Sequence, residues 1–298
     1  MAILRTIAIV RFAKGHGTEN DFVVLPDLDG TLDLTPRLAA ALCDRRSGVG
    51  ADGVLRVVRT AVATKQRWVR AADARDTEWF MDYRNADGSL AEMCGNGIRV
   101  FGRWLVEAGH ASHRAAIPVA TRGGVREVTA LDDGMIRVDM GVVRQPEVGE
   151  VFVETDQGRW PAAAAFAPNP HAVAFVSGLD EIGSLTTPPR VISDGAFPDG
   201  VNVEFVVDRT PRHLALRVHE RGSGETRSCG TGVCAAAAVA AKRVRVVGPS
   251  SWTVDVPGGR LTVDLDVSTA SSATAALTGP AVLVAAGELD HRWLAAHA

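Results

Sequence analysis

Two cysteines hold the positions best suited to chemistry, each at the head of the same short pattern. Met93-Cys94-Gly95-Asn96-Gly97 precedes an apolar-periodic run over residues 98–108, and Ser228-Cys229-Gly230-Thr231-Gly232 precedes a second over 233–242. Both read as a thiol at a helix N-terminus. The first N–H groups of a helix have no internal partner and form the positive end of its dipole. Such an end draws a nearby thiol toward thiolate and binds anions such as carboxylates. Glycine there lets a ligand approach the backbone closely. A single Cys-Gly-x-Gly reads as a turn over a buried thiol. Two copies read as one site with a base for each side of a carbon, which suits moving a proton from one face of a stereocentre to the other.

The other two cysteines, Cys43 and Cys234, lie in apolar helical stretches and read as packing. No Cys-x-x-Cys pair is present, which removes support for zinc-ribbon and thioredoxin-like readings. The histidines show no metal-ligand spacing, and no lysine stands in a recognisable pyridoxal motif, so neither metal nor cofactor is expected. With a net charge of −3 and 46% hydrophobic residues, the chain has the composition of a globular protein without the basic excess of a nucleic-acid binder. No apolar run approaches the roughly 20 residues of a membrane helix. Ile7-Ala8-Ile9-Val10 is too short for a signal core, so the expected location is the cytoplasm.

The elements that position the cysteines follow from periodicity and turn chemistry. Residues 3–13 alternate as a first strand, Gly15-His16-Gly17 turns the chain, and 22–25 form a second strand. Thr35 caps a helix whose first residue is Pro36. The arginine-rich stretch 60–76 reads as a hairpin or variable loop, and strand 79–83 leads through Asn85-Ala86-Asp87-Gly88-Ser89 to Cys94. Ile98, Phe101, Leu105 and Ala108 form one stripe of the first cysteine helix, which Gly109 ends. Strands follow at 116–121, 126–131 and 136–140, with a hairpin turn at Asp133-Gly134. In the second half, Pro168-Asn169-Pro170-His171 feeds strand 172–176. Further strands stand at 203–207 and 214–219, and the loop from Glu220-Arg221-Gly222 delivers Cys229. The second cysteine helix is apolar on nearly every side, as a helix enclosed by sheet should be. A hairpin at 252–265 and a late strand at 277–285 complete the chain. Helices do not alternate regularly with strands, which argues against a doubly wound parallel sheet. The expectation is an α+β fold of two similar lobes, residues 1–128 and 129–280, with 281–298 returning to the first and a site in the cleft between them.

These residues resemble the diaminopimelate epimerase family. The resemblance rests on residues 14–23 around Asn20-Asp21-Phe22, on Gly48-Val49-Gly50-Ala51-Asp52-Gly53, Asn85-Ala86-Asp87-Gly88-Ser89 and the first cysteine motif through Arg99. It continues through Asn169-Pro170-His171, Val201-Asn202-Val203 and Glu220-Arg221-Gly222 to Cys229-Gly230-Thr231-Gly232, spanning most of the chain in one order. It implies a cofactor-independent isomerase that interconverts LL- and meso-diaminopimelate on the way to lysine and the bacterial cell wall. It also implies two pseudo-symmetric lobes, each a mostly antiparallel sheet wrapped around a central helix, and a homodimer. The chain departs from the pattern in having Pro168 where the family usually has glycine, Thr18-Glu19 where it often has Leu-Gly, and Val100 where it often has cysteine.

On this resemblance Cys94 and Cys229 are base and acid, and His171 and Glu220 assist them. The N–H groups of Gly95, Asn96, Gly230 and Thr231 hold the α-carboxylate and stabilise the charge that grows on it as the Cα–H proton leaves. Asn20, Asn85, Asn169, Asn202 and Arg221 bind the amino-acid substrate, with Arg221 facing its distal carboxylate. Residue chemistry alone leaves Asn85 equally open to a turn role. The alternatives are a proline or hydroxyproline racemase, a non-catalytic amino-acid-binding protein and a redox dithiol protein. The first usually carries histidine where this chain has Asn96.

Overall fold

A computed structural model describes residues 9–297. The chain divides into two compact units. Of the described residues, the first holds 9–17, Asp21–Asp132 and 281–297; the second holds Thr18–Asn20 and Asp133–Pro280.

In chain order the first unit builds β1 (Arg11–Gly17), β2 (Asn20–Pro26), α1 (Pro36–Cys43), β3 (Gly53–Arg59), α2 (Thr60–Lys65), β4 (Trp79–Asn85), α3 (Gly95–Glu107), β5 (Ala116–Thr121) and β6 (Gly124–Ala130). The second unit follows with β7 (Met135–Arg144), β8 (Val151–Thr155), β9 (Gly158–Phe166), β10 (Pro170–Phe175), β11 (Arg190–Ile192), β12 (Asn202–Thr210), β13 (His213–Glu220), β14 (Gly224–Thr226), α4 (Gly230–Arg243), β15 (Gly248–Val256), β16 (Gly259–Thr269) and β17 (Ser272–Pro280). Last come β18 (Val282–Glu288), antiparallel to β1, and α5 (His291–His297).

Each unit is a mostly antiparallel sheet wound round one central helix. In the first, β1 pairs with β2, β2 runs parallel to β3, β3 antiparallel to β4, β4 parallel to β5, and β5 antiparallel to β6, with α3 packed on the ladder. The second repeats this order. β9 and β10 are antiparallel, β10 and β12 parallel, β12 and β13 antiparallel, β13 and β15 parallel, and β15 and β16 antiparallel. There β16 pairs β17, β17 pairs β7, and β7 meets β9 at Arg144 and Phe166, so this ladder closes on itself around α4. Closure of this kind protects strand edges from pairing with other chains.

The sequence explains the enclosure. Every residue of α4 from Gly230 to Ala241 is buried, and its run of alanines lets strands approach on all sides. Helix α3 buries Ile98, Phe101 and Leu105 of the expected stripe and also Arg99, Val100 and Val106 beside it, while Glu107 and Ala108, the stripe's expected last residue, are exposed. Strands β3 and β12 are buried over Gly53–Val58 and Asn202–Val207, apolar runs each interrupted by one buried charge, Arg56 and Glu204. Val54 of β3 packs with Leu38 and Leu42 of α1, while Leu55, its neighbour in the strand, points at Gly97 of α3. Thr35 caps α1 through a hydrogen bond from the Leu38 N–H at 3.1 Å, with Pro36 in the first turn.

Four local expectations change. The first strand is 11–17 rather than 3–13, of which residues 3–8 lie outside the described residues; its alternation continues through Gly15-His16-Gly17, which are strand and not turn. The turn falls instead on Thr18 and Glu19, both at positive φ (49° and 62°). Stretch 60–76 contains α2 and a 3-10 turn at Ala71–Ala74, too short for their period to rise above the arginines around them. The late strand at 277–285 is two strands, β17 and β18, separated at Ala281.

Candidate active site

Both motif cysteines are N-cap residues with extended backbone, Cys94 at φ −137° and Cys229 at φ −124°. Cysteine is not a common cap; serine, threonine, aspartate and asparagine usually fill this position. In the first unit Cys94 Sγ accepts the Gly97 N–H at 3.4 Å and the side chain is half-buried. Asn96 is buried, and its Oδ1 accepts from Arg99 Nη2 at 3.0 Å, so its side chain braces the helix start. Asn85 ends β4, and its Nδ2 donates to Ser89 Oγ at 2.9 Å inside the turn that Gly88 closes.

The second unit gathers more of the expected set. Cys229 is 4% exposed, with Sγ 3.4 Å from Thr231 Oγ1 and 4.0 Å from Asn202 Nδ2. Asn202 Oδ1 accepts the backbone N–H of Arg221 at 2.9 Å, which joins the Glu220-Arg221 turn to the thiol's surroundings. The Arg221 guanidinium is exposed and donates to the Asp199 carbonyl at 2.6 Å. Glu220 accepts from Thr226 Oγ1 at 2.6 Å, and burial raises its carboxyl above the usual range. Asn20 belongs to this unit by its contacts. Its turn is held by Thr18 Oγ1 donating to Ser228 Oγ at 2.7 Å and by a Glu19–Arg227 ion pair, both on the segment that leads into Cys229. The Ala167–Pro168 peptide is cis, and Asn169, just after it, places Oδ1 3.1 Å from His171 Nε2.

The helix end does not lower the Cys229 thiol. Burial raises it well above its ordinary value, helped by the charges of Glu220 and Glu204; the Thr231 hydroxyl and the Gly232 N–H pull the other way and lose. A site with one thiol and one thiolate requires one such protonated partner.

Glu204 is the residue that sequence reasoning passed over. It lies in β12, wholly buried, with Oε1 2.7 Å from His171 Nδ1. A signal existed: Val203-Glu204-Phe205-Val206-Val207 is a run buried on both faces, so its one charged residue had to be buried too. Gly232 makes the room, since a Cβ there would lie 2.4 Å from Glu204 Oε1.

The matching ladders allow the two cysteine environments to be compared position by position. Phe22 opposes Gly53 as His171 opposes Asn202, and Val24 opposes Leu55 as Val173 opposes Glu204. Asn85 opposes Gly53 on β4, and Glu220 ends β13 one residue past the His219–Val203 pair, so Asn85 and Glu220 correspond. Under α3, Gly97 faces Leu55 and Phe22; under α4, Gly232 faces Glu204.

Known proteins bear on this geometry directly. The diaminopimelate epimerase family model matches residues 12–145 and 164–284. The chain belongs to the diaminopimelate epimerase family. It is 53% identical to the diaminopimelate epimerase of Streptomyces coelicolor over 290 residues, covering 96% of this chain and 97% of the relative. The corresponding figures for the family member from Thermobifida fusca are 50% over 280 residues, 94% and 98%. The fold extends beyond the family. A probable proline racemase from Agrobacterium radiobacter superposes with a TM-score of 0.67 at 16% identity, covering 95% of this chain and 93% of that one. A phenazine biosynthesis protein from Bacillus anthracis gives a TM-score of 0.68 at 16% identity, covering 95% and 99%.

Proposed function

We propose that this protein is a diaminopimelate epimerase that inverts one α-carbon of its substrate by two-base proton transfer between Cys94 and Cys229. The observation that carries the reading is the repeated cysteine N-cap at equivalent positions of both ladders. One cysteine, as thiolate, removes the Cα–H proton; the other, as thiol, delivers a proton to the opposite face. The N–H groups of Gly95, Asn96, Gly230 and Thr231 receive the α-carboxylate and offset the negative charge that builds on it. Asn20, Asn85, Asn169 and Asn202 hold the amino acid, and Arg221 meets the distal carboxylate by leaving its carbonyl contact with Asp199. His171 and Glu220 assist the cysteine beside them. The raised Cys229 thiol supports its role as proton donor in the free protein. The likeness to curated family members supports placement in lysine biosynthesis, and the resemblance further suggests a cytoplasmic homodimer.

Incubation with LL-diaminopimelate in deuterated water tests the mechanism. With separate bases, the epimeric product carries deuterium at the inverted carbon from the earliest turnovers while recovered substrate stays protiated. Early product rich in protium at that carbon excludes two-base transfer. Cys94→Ala and Cys229→Ala each abolish turnover with the fold intact.

A further inference from the structure

The first unit shows what this fold needs beneath a cysteine helix. Phe22 and Leu55, both fully buried, fill the space next to Gly97. At the matching positions of the second unit stand His171 and Glu204, also fully buried, with Glu204 beside Gly232. An apolar pair therefore does the packing. A buried ionic pair in the same place is costly and is often no more stable than the apolar alternative, so its presence needs a chemical reason.

The hydrogen bonds supply one. His171 Nδ1 lies 2.7 Å from Glu204 Oε1, and Nε2 lies 3.1 Å from Asn169 Oδ1. Both ring nitrogens face oxygen atoms, and with Glu204 ionised a ring carrying both protons satisfies both. Glu204 Oε2 is buried without a hydrogen-bond partner among the described residues, so the ring is what compensates this carboxylate. The other ionisable groups of the cluster, Glu220 and Cys229, are acidic and offer no alternative cation. With Nε2–H donating to its Oδ1, Asn169 has its amide orientation fixed and its Nδ2 left as the group presented outward.

We propose that Glu204 is a positioning residue for the reaction: by holding His171 doubly protonated, it sets the Asn169 amide so that Nδ2 faces the substrate carboxylate. This rests on the epimerase reading and deepens it. Neutralising Glu204 without changing its shape reverses the relay. In Glu204→Gln the His171 ring keeps one proton; with Nδ1–H donating to the new amide oxygen, Nε2 becomes an acceptor and the Asn169 amide turns over to donate inward. The substrate then meets Oδ1 where it had met a donor.

The test uses the full-length protein. Long-range nitrogen–proton NMR of the imidazole rings, with His171 assigned by its loss in His171→Gln, reads the ring directly at neutral pH. The expected result is two ring N–H groups in the wild type and one in Glu204→Gln. In the same variant KM for diaminopimelate rises roughly tenfold or more, the equivalent of one hydrogen bond to a charged group, while kcat changes less. A merely structural role predicts neither change, since glutamine fills the same space. A singly protonated His171 in the wild type overturns the inference, as does Glu204→Gln with unaltered KM. If Glu204→Gln does not fold, the wild-type ring measurement decides alone. Absence of wild-type turnover would instead sink the epimerase reading, and the ring protonation would still be readable.

Discussion

Alanine at the third residue of each cysteine helix separates the two environments energetically. Gly97 and Gly232 occupy the same place in α3 and α4. In Gly97→Ala the new Cβ lies 3.1 Å from Leu55 Cδ2, the tip of an aliphatic side chain that yields by a few tenths of an ångström. The small strain is offset by the better helix propensity of alanine, worth up to about 1 kcal/mol, and the net change should be within about 0.5 kcal/mol of zero. In Gly232→Ala the Cβ would lie 2.4 Å from Glu204 Oε1, and the carboxylate must retreat by about 1 Å to reach ordinary contact. That retreat breaks the 2.7 Å bond to His171 in a place where neither group reaches water. A hydrogen bond between charged groups contributes about 1.5–3 kcal/mol net. After the propensity gain, Gly232→Ala should be destabilised by about 1–2 kcal/mol, which corresponds to a fall of roughly 2–8 °C in melting temperature for a chain of this size. Calorimetry measures both, each variant compared with the wild-type transition of the unit that carries it. Equal melting shifts for the two, or a larger loss in Gly97→Ala, would refute the claim that a pinned carboxylate lies under α4 and a yielding methyl under α3.

Two further outcomes follow from the charged groups. Iodoacetamide at pH 8, read by peptide mass spectrometry, should label half-buried Cys94 well before Cys229, whose thiol is raised by burial and then by Glu220 and Glu204; Glu220→Gln should speed labelling of Cys229 and leave Cys94 unchanged. Asp82 is wholly buried and accepts from Arg56 Nη2 and Arg122 Nη2, each at 2.6 Å, and from Arg84 Nε at 3.1 Å. Burial alone would raise its carboxyl, but the guanidiniums of Arg56, Arg122 and Arg84 outweigh burial and hold it below the usual range. Its stabilisation is therefore complete above the unfolded value of about 3.9 and is lost as pH falls toward the folded one. Asp82→Asn should cost about 3–5 kcal/mol at pH 7, and the wild-type urea midpoint should begin to fall toward that of the variant only below about pH 4.

What was legible in the sequence depended on how local the cause was. The two cysteine helices, the Thr35-Pro36 start of α1 and the turn at Asp133-Gly134 are set by neighbours in the chain, and they stand where periodicity and capping put them. Helix α2 was hidden because its six residues bury only Thr60 and Ala63, too few to mark a face. Strand β9 was hidden because four consecutive alanines, Ala162 to Ala165, have little strand preference and are strand here through pairing with β10. Glu204 and its bond to His171 join residues far apart in the chain, and no local pattern forecasts which ring a buried carboxylate will meet. The Cys229 thiol was misjudged for a related reason: the helix end is local and visible, whereas the burial and the two carboxylates that overrule it are tertiary.

The pairing of β18 with β1 has a consequence for how the chain is made. The register runs from Arg11 opposite Glu288 to His16 opposite Val282, so an early strand waits for a late one to leave the ribosome. During synthesis the second unit, nearly contiguous, emerges whole while the first still has an open strand edge. A nascent chain stalled before residue 282 should therefore offer that edge to chaperones or to a neighbouring nascent chain on the same message. This late-made strand leaves the first unit to finish folding after the second.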